Sequence, residues 1–311
     1  KKAVVVGAGA IGIELAQALS FRKIPVDLVD MGSSVLPNLV DADMAKPLKQ
    51  ELMGEMISLH MDAKVVELKG DEYVRDVILD TGSIITFPSS EHPELAGFVI
   101  FAAGMRPEIS LFKDSRLEMG RDGIIINNKM ETNIRDVYAV GDCAQFNSGI
   151  TGRTISGKLA TNAVPMSKVL GHNLKGGERV YAGFFNGAAT KVGKYFIGGT
   201  GLSEKAAKEA GYDTICGYSE VTTKFPIMPE AKKKNMKIIA DKASHRILGA
   251  QIVSEEPVVG RIDLMTFSIQ KKSTVEELSD LSYASQPHQS FYPAANIVVL
   301  AAEDIRTKMG W

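Results

Sequence analysis

The chain has 311 residues, 45% hydrophobic and 23% charged, with a formal net charge of −1. These proportions suit a globular protein of about two or three domains and give no long-range pull toward nucleic acid or an anionic membrane. No apolar run approaches the roughly 18–20 residues that span a bilayer, and no signal-peptide pattern is present, so no membrane association is expected.

Residues 2–19 carry the first motif. The β-branched run Val4-Val-Val6 reads as a buried parallel strand and empties into Gly7, Gly9 and Gly12, spaced G-x-G-x-x-G. Ile11, Leu15, Ala18 and Leu19 then recur at helical spacing. Gly7 allows the tight turn, Gly9 leaves room for a pyrophosphate, and Gly12 lets the helix pack on the strand. A second strand, residues 24–30, ends in Asp30, 18 positions after Gly12. A carboxylate there binds ribose hydroxyls and repels a 2′-phosphate, which favours NAD over NADP. No arginine or lysine follows within residues 31–36. The competing reading is an ordinary glycine-rich turn beside a solvated acid.

Apolar residues at every fourth position predict a helix over residues 44–56. Residues 63–68, 73–79 and 84–87 read as short strands, an antiparallel insertion in a doubly wound sheet. Residues 98–103 form a fully apolar strand ending at Gly104, which either faces the cofactor crevice or simply turns the chain. Short strands are expected at 123–126 and 137–140, the second running into Gly141 and Asp142. That carboxylate either accepts a hydrogen bond from a sugar or ribityl hydroxyl or caps the next helix. A helix is expected over 154–171, then a glycine-rich boundary near residues 173–177.

Beyond it the pattern is α+β, with strands at 188–197, 218–224, 236–241 and 247–253. Ser203 and Gly211 bracket a helix as cap and stop. Residues 243–246 read as a hairpin turn, and 258–271 and 274–280 as helices. The run Lys232-Lys-Lys234 reads as a solvated loop in preference to an anion site. Cys143 and Cys216 fit no metal or C-x-x-C spacing, so no metal is expected and a reducing cytoplasm is. The chain opens without a methionine, two lysines before a core strand, which leads us to expect a fragment of a larger protein.

These pieces, in this order, resemble the flavin-dependent pyridine nucleotide-disulfide oxidoreductases, especially the NADH oxidase and coenzyme A-disulfide reductase branch. The resemblance covers essentially the whole chain. It rests on Val6-Gly-Ala-Gly-Ala-Ile-Gly-Ile-Glu14, Ala102-Ala-Gly-Met-Arg-Pro107 and Thr132-Asn-Ile-Arg-Asp-Val-Tyr-Ala-Val-Gly-Asp-Cys143. It rests also on Thr200-Gly-Leu-Ser-Glu-Lys-Ala-Ala-Lys-Glu-Ala-Gly211 and Arg246-Ile-Leu-Gly-Ala-Gln251.

The resemblance implies a Rossmann-type NAD(H)-binding domain over residues 1–112, the second half of an FAD domain over 113–176, and an α+β dimerisation domain over 177–311. Ala10 and Ile11 would line the NAD site with the glycines, and Glu14 would lie near the nicotinamide. Gly141 and Asp142 would hold the ribityl chain of FAD, with Leu159 and Ala160 at a helix start beside the flavin. The protein would be a homodimer passing electrons from NADH through FAD to a disulfide or oxygen. Tyr283 resembles a tyrosine that reaches the partner subunit's site. His288 sits where some members hold a catalytic histidine with a glutamate five places on, and that place here is Pro293, so a surface role is favoured.

The sequence departs from the family pattern elsewhere too. The first FAD fingerprint and the redox cysteine would lie upstream, so the chain by itself is expected to bind NADH weakly and not to hold FAD. Cys143 is expected to be a packed residue. Ala10 stands where many members carry a tyrosine over the nicotinamide face. The rival reading is a non-catalytic module that binds NAD and dimerises.

Overall fold

The computed structural model describes residues 1–54, 56–88, 92 and 96–311. In chain order the first unit holds β1 (Lys2–Val6), α1 (Ala10–Phe21), β2 (Val26–Val29), α2 (Lys46–Met53) and β3 (Ile57–His60). The antiparallel meander β4 (Val65–Gly70), β5 (Val74–Leu79) and β6 (Ile84–Thr86) follows, and β7 (Gly97–Phe101) returns to the sheet. That sheet is parallel, in the order β3-β2-β1-β7. Along β1 the period of two sends Ala3 and Val5 into a core with Ile13 and Leu48, and Val4 into a second core with Val29, Val77 and Phe87. Helices therefore cover one face of the sheet and the meander the other.

The helix expected over 44–56 is shorter, because Gly54 caps α2 and Met56, at φ +57°, turns the chain into β3. Helical periodicity running through Met56 hid that strand.

The second unit holds β8 (Met119–Gly120), β9 (Gly123–Ile125), a 3-10 turn (Gly141–Cys143), β10 (Ala144–Asn147), β11 (Thr154–Ile155) and α3 (Ala160–Asn173). Its sheet runs β11-β10-β9-β8. Two expectations are corrected. Residues 137–140 form no strand but a single bridge, Tyr138 to Glu131. The hydroxyl of Thr132 donates to the Val137 carbonyl and Asp136 sits at φ +62°, so the segment closes into a turn. The helix expected from residue 154 begins at Ala160, since Thr154 and Ile155 pair with β10 across the preceding turn.

The third unit holds β12 (Ala188–Val192), β13 (Tyr195–Gly201), α4 (Glu204–Glu209), β14 (Thr214–Thr222), β15 (Lys233–Asp241), β16 (Ile247–Ser254), α5 (Val259–Gln270), α6 (Val275–Ser279) and α7 (Ile297–Lys308). Its antiparallel sheet runs β12-β13-β16-β15-β14. The strand expected over 188–197 is two, folded back at Gly193 (φ +52°). Ser203 caps α4 by accepting from Ala206 N–H, and Gly211 beyond it takes φ +97°. Helices α5, α6 and α7 pack Met265, Leu278 and Ala301 on Met236 and Ile238 of β15. On the opposite face Val192, Ile197 and Val253 join the core of α1 and α2, so one apolar interior runs across both units.

The run at residues 232–234 is a solvated loop only in part: Lys232 and Lys233 are exposed, but the third lysine is not. Strand β15 begins at Lys233, and Lys234 is buried at 8% exposure under the ring of Phe291.

Candidate functional site

Three strand ends converge at the first glycine turn. Gly7, at φ +112°, donates its N–H to Val29 O at 2.8 Å, and Ala102 N–H donates to Val6 O at 2.7 Å. A Cβ on Gly7 would lie 2.4 Å from the Ala102 carbonyl oxygen, and one on Gly12 would lie 1.8 Å from the Gly7 carbonyl oxygen. Both positions therefore require glycine for the closeness of the backbones. Gly9 differs, with nothing within 4 Å of its would-be Cβ. It is the residue before α1, and no side chain caps that helix. The N–H groups of Ala10, Ile11 and Gly12 have no acceptor among the described residues. An open glycine face beside unpaired amides at the positive end of a helix fits a pyrophosphate.

Asp30 follows β2 and braces this turn. Its carboxylate accepts from Ala8 N–H and from Gly32 N–H, each at 2.6 Å. Two carboxylate oxygens offer about four lone-pair sites, so capacity for ribose hydroxyls remains. Gly104, at φ +106°, lies beyond β7 and also faces open space. Ile11, Phe101 and Met105 leave apolar surface exposed. Glu14, on the exposed side of α1, accepts from the Thr190 hydroxyl at 2.8 Å. Lys49 of α2 donates to the Ser33 carbonyl, bringing a cation to the connection after Asp30 that a linear reading of residues 31–36 misses.

The second cluster is built on α3. Leu159 is its N-cap and Ala160 its first residue. Gly141 packs beside them, its would-be Cβ 3.4 Å from that of Ala163. Asp142 is exposed in the adjacent 3-10 turn and caps no α-helix, since β10 follows. Cys143 is half-buried, its thiol donating to Val140 O at 3.4 Å. Tyr283 and His288 share the segment between α6 and α7. The Tyr283 hydroxyl donates to Pro293 O at 2.6 Å and its ring leans on Phe291, while His288 is exposed.

The most heavily bonded polar cluster is one the sequence reading missed. Lys237, on β15, is 1% exposed. Its ammonium lies 3.0 Å from Asp41, 3.0 Å from Asp43 and 2.9 Å from Glu204. Gln251 donates to the Asp41 carboxylate at 2.8 Å and accepts from Asp41 N–H at 2.7 Å, and Tyr218 donates to Asp43 at 2.8 Å. Hydrogen bonds from Lys208 and Lys237 bring the Glu204 pKa down to about 2. Burial disfavours the Lys237 charge, but its three carboxylate partners outweigh that and raise its pKa. A sequence signal existed: a lysine inside the apolar run Met236-Lys-Ile-Ile-Ala240 has to find counter-ions.

The sequence profile of the pyridine nucleotide-disulphide oxidoreductases matches residues 1–167, and that of their dimerisation domain matches residues 188–294. An NADH oxidase of Methanocaldococcus jannaschii is 35% identical over 309 residues, 99% of this chain and 66% of that protein. The solved structure of a NAD-dependent persulfide reductase from A. fulgidus superimposes with a TM-score of 0.91 at 29% identity, covering 100% of this chain and 56% of that one. A water-forming NADH oxidase from Lactobacillus brevis, solved with NADH bound, gives 0.89 at 26% identity, covering 100% and 66%. The chain thus spans just under two thirds of its M. jannaschii relative and little more than half of the A. fulgidus chain. By motif order, fold and sequence match together, the chain belongs to the pyridine nucleotide-disulphide oxidoreductase family.

Proposed function

We propose that the chain binds NADH across the turn at residues 7–12 and forms the nicotinamide-binding, flavin-cradling and dimer-forming part of an NADH-dependent flavoprotein oxidoreductase. The observation that carries this is the open face of Gly9 beside three unpaired amides at the head of α1. Gly7, Gly9, Ala10, Ile11 and Gly12 cradle the pyrophosphate, and Asp30 takes the adenosine ribose. Glu14 and Gly104 stand toward the nicotinamide. Gly141, Asp142, Leu159 and Ala160 supply part of the FAD cradle, with Asp142 free to accept a hydroxyl. The cofactors supply the chemistry when bound, a hydride passing from nicotinamide to flavin and its electrons on to a disulfide or oxygen.

The names of the relatives support both acceptor classes, one being a persulfide reductase and the other a water-forming oxidase. Residues 1–112, 113–176 and 177–311 act as NAD, partial FAD and dimerisation domains. In a homodimer, Tyr283 and the exposed His288 are presented toward the partner. The two free thiols, Cys143 and Cys216, are what supports a reducing, cytoplasmic setting.

Titration calorimetry tests the core of this reading. The chain should bind NADH, and Asp30→Ala should weaken binding by about tenfold or more, the loss of a charge-assisted hydrogen bond. No binding by the parent chain would overturn the proposal. Stoichiometric flavin in the purified chain would overturn the view that FAD needs residues outside it. For the full-length protein, NADH consumption with candidate disulfides, in air and under nitrogen, separates the acceptors.

A further inference from the structure

Resting on the NADH reading, we propose that Lys237 is a positioning residue for the dinucleotide site. Through Asp41 it fixes the connection after β2 that holds the glycine turn in place. Each link is geometric. Ala8 lies within the glycine turn and is gripped twice by that connection. Its N–H donates to Asp30 at 2.6 Å, and its carbonyl accepts from Leu36 N–H at 2.9 Å.

Leu36 is buried at φ +52°, a left-handed conformation that a leucine keeps only where its surroundings enforce it. Enforcement comes from the neighbouring unit. One tight turn follows Leu36, closed by Leu39 N–H and Val40 N–H, both donating to Leu36 O. The Leu39 carbonyl then rests on β13 at Gly199, where a Cβ would come within 2.1 Å of its oxygen. Next in line, Asp41 is held by Gln251 on β16 and Lys237 on β15.

The path from Lys237 to Ala8 is therefore one short connection, pinned at Asp41, Leu39 and Leu36. Removing the ammonium leaves Asp41, Asp43 and Glu204 clustered with one facing cation fewer. Mutual repulsion then drives Asp41 outward, and the Leu36–Ala8 bond goes with it. The third unit thus helps set the shape of the glycine turn from behind.

The test is NADH titration of the 311-residue chain as parent, Lys237→Met, Lys237→Arg and Gln251→Leu, each with its melting temperature. Val275→Ala, buried on the far face of the sheet, is the control for general destabilisation. Lys237→Met should weaken NADH binding by about tenfold, with Lys237→Arg recovering part of the loss. Val275→Ala should melt earlier yet bind normally once folded. If Lys237→Met fails to fold, Gln251→Leu decides, since it removes both side-chain bonds to Asp41 and leaves every charge in place. A parent that does not bind NADH refutes the functional reading itself. A parent that binds, with Lys237→Met or its substitute binding equally well, refutes this inference and leaves that reading intact.

Discussion

Lys234 and Lys237 are three residues apart on one strand and face opposite ways. Lys237 meets three carboxylates, whereas Lys234 lies with Arg261 against the ring of Phe291 and has no acceptor among the described residues. Burial, with the Arg261 charge adding to it, lowers the Lys234 pKa to about 8. Unfolded, it would titrate near 10.4. Between about pH 8 and 10.4 the unfolded chain holds more protons, so this group makes stability rise with pH, and below pH 8 its full penalty stands. Lys234→Met should accordingly be more stable than the parent at pH 7, by about 1–3 kcal/mol, with the gap closing toward pH 10. Urea midpoints at the two pH values check this. The packing roles of Gly7 and Gly12 were legible because their spacing carries them. Lys234 was not, because three consecutive lysines look solvated until the pairing of β14 with β15 places the second and third inside a strand.

At the level of the element, the turn between β1 and α1 separates packing from binding. Gly12→Ala sets a methyl 1.8 Å from the Gly7 carbonyl oxygen, so the strand and helix have to part. It should lower the melting temperature and abolish NADH binding together. Gly9→Ala meets nothing within 4 Å and sits at φ −74°, open to any residue. On the proposed reading it should leave melting within a degree or two and still weaken NADH by obstructing the pyrophosphate. Calorimetry and thermal melts on the two variants separate the roles. Thr274, whose hydroxyl caps α6 in a reciprocal pair with Glu277, should cost about 1 kcal/mol as alanine. The meander and the helices at 204–209 and 259–270 were readable from local pattern. Strand β10 and helix α7 were not, the strand because it gains its place from distant pairing with β9, the helix because it opens on the unbroken apolar run Ile297-Val-Val-Leu-Ala-Ala302, whose β-branched residues fit a buried strand as well as a helix.

For the molecule as a whole, the carboxylate cluster around Lys237 joins the first unit to the third. Burial works against the Asp43 charge, but hydrogen bonds from Tyr218 and Lys237 of the third unit outweigh it and lower its pKa, so their union is sensitive to acid. Glu204 adds a second acid-sensitive contact within the third unit. Lys208 and Lys237 hold Glu204 near a pKa of about 2, below its unfolded value of about 4.3. Between those values the unfolded chain binds more protons, so stability is present above pH 4.3 and is lost as the pH falls toward 2. Glu204→Gln should start less stable at pH 7 and lose less over that interval, as melting curves at pH 7, 4 and 3 would show. Single-sequence reading divided the chain by its linkers, and the linkers do not report the apolar interior shared by Ile13, Leu48, Ile197 and Val253.

The hairpin tip between β12 and β13 carries that union further. Gln17 of α1 donates to Lys191 O at 3.0 Å and accepts from Gly193 N–H at 2.5 Å, while Glu51 of α2 accepts from Lys194 N–H at 3.0 Å. Both helices are thereby fastened to a strand pair more than a hundred residues away in the chain. The bridge between the units, residues 174–187, has exposed lysine and arginine at Lys175 and Arg179 and contributes no helix or strand. Trypsin cutting there should give two bands on a denaturing gel, yet one undivided peak on a sizing column.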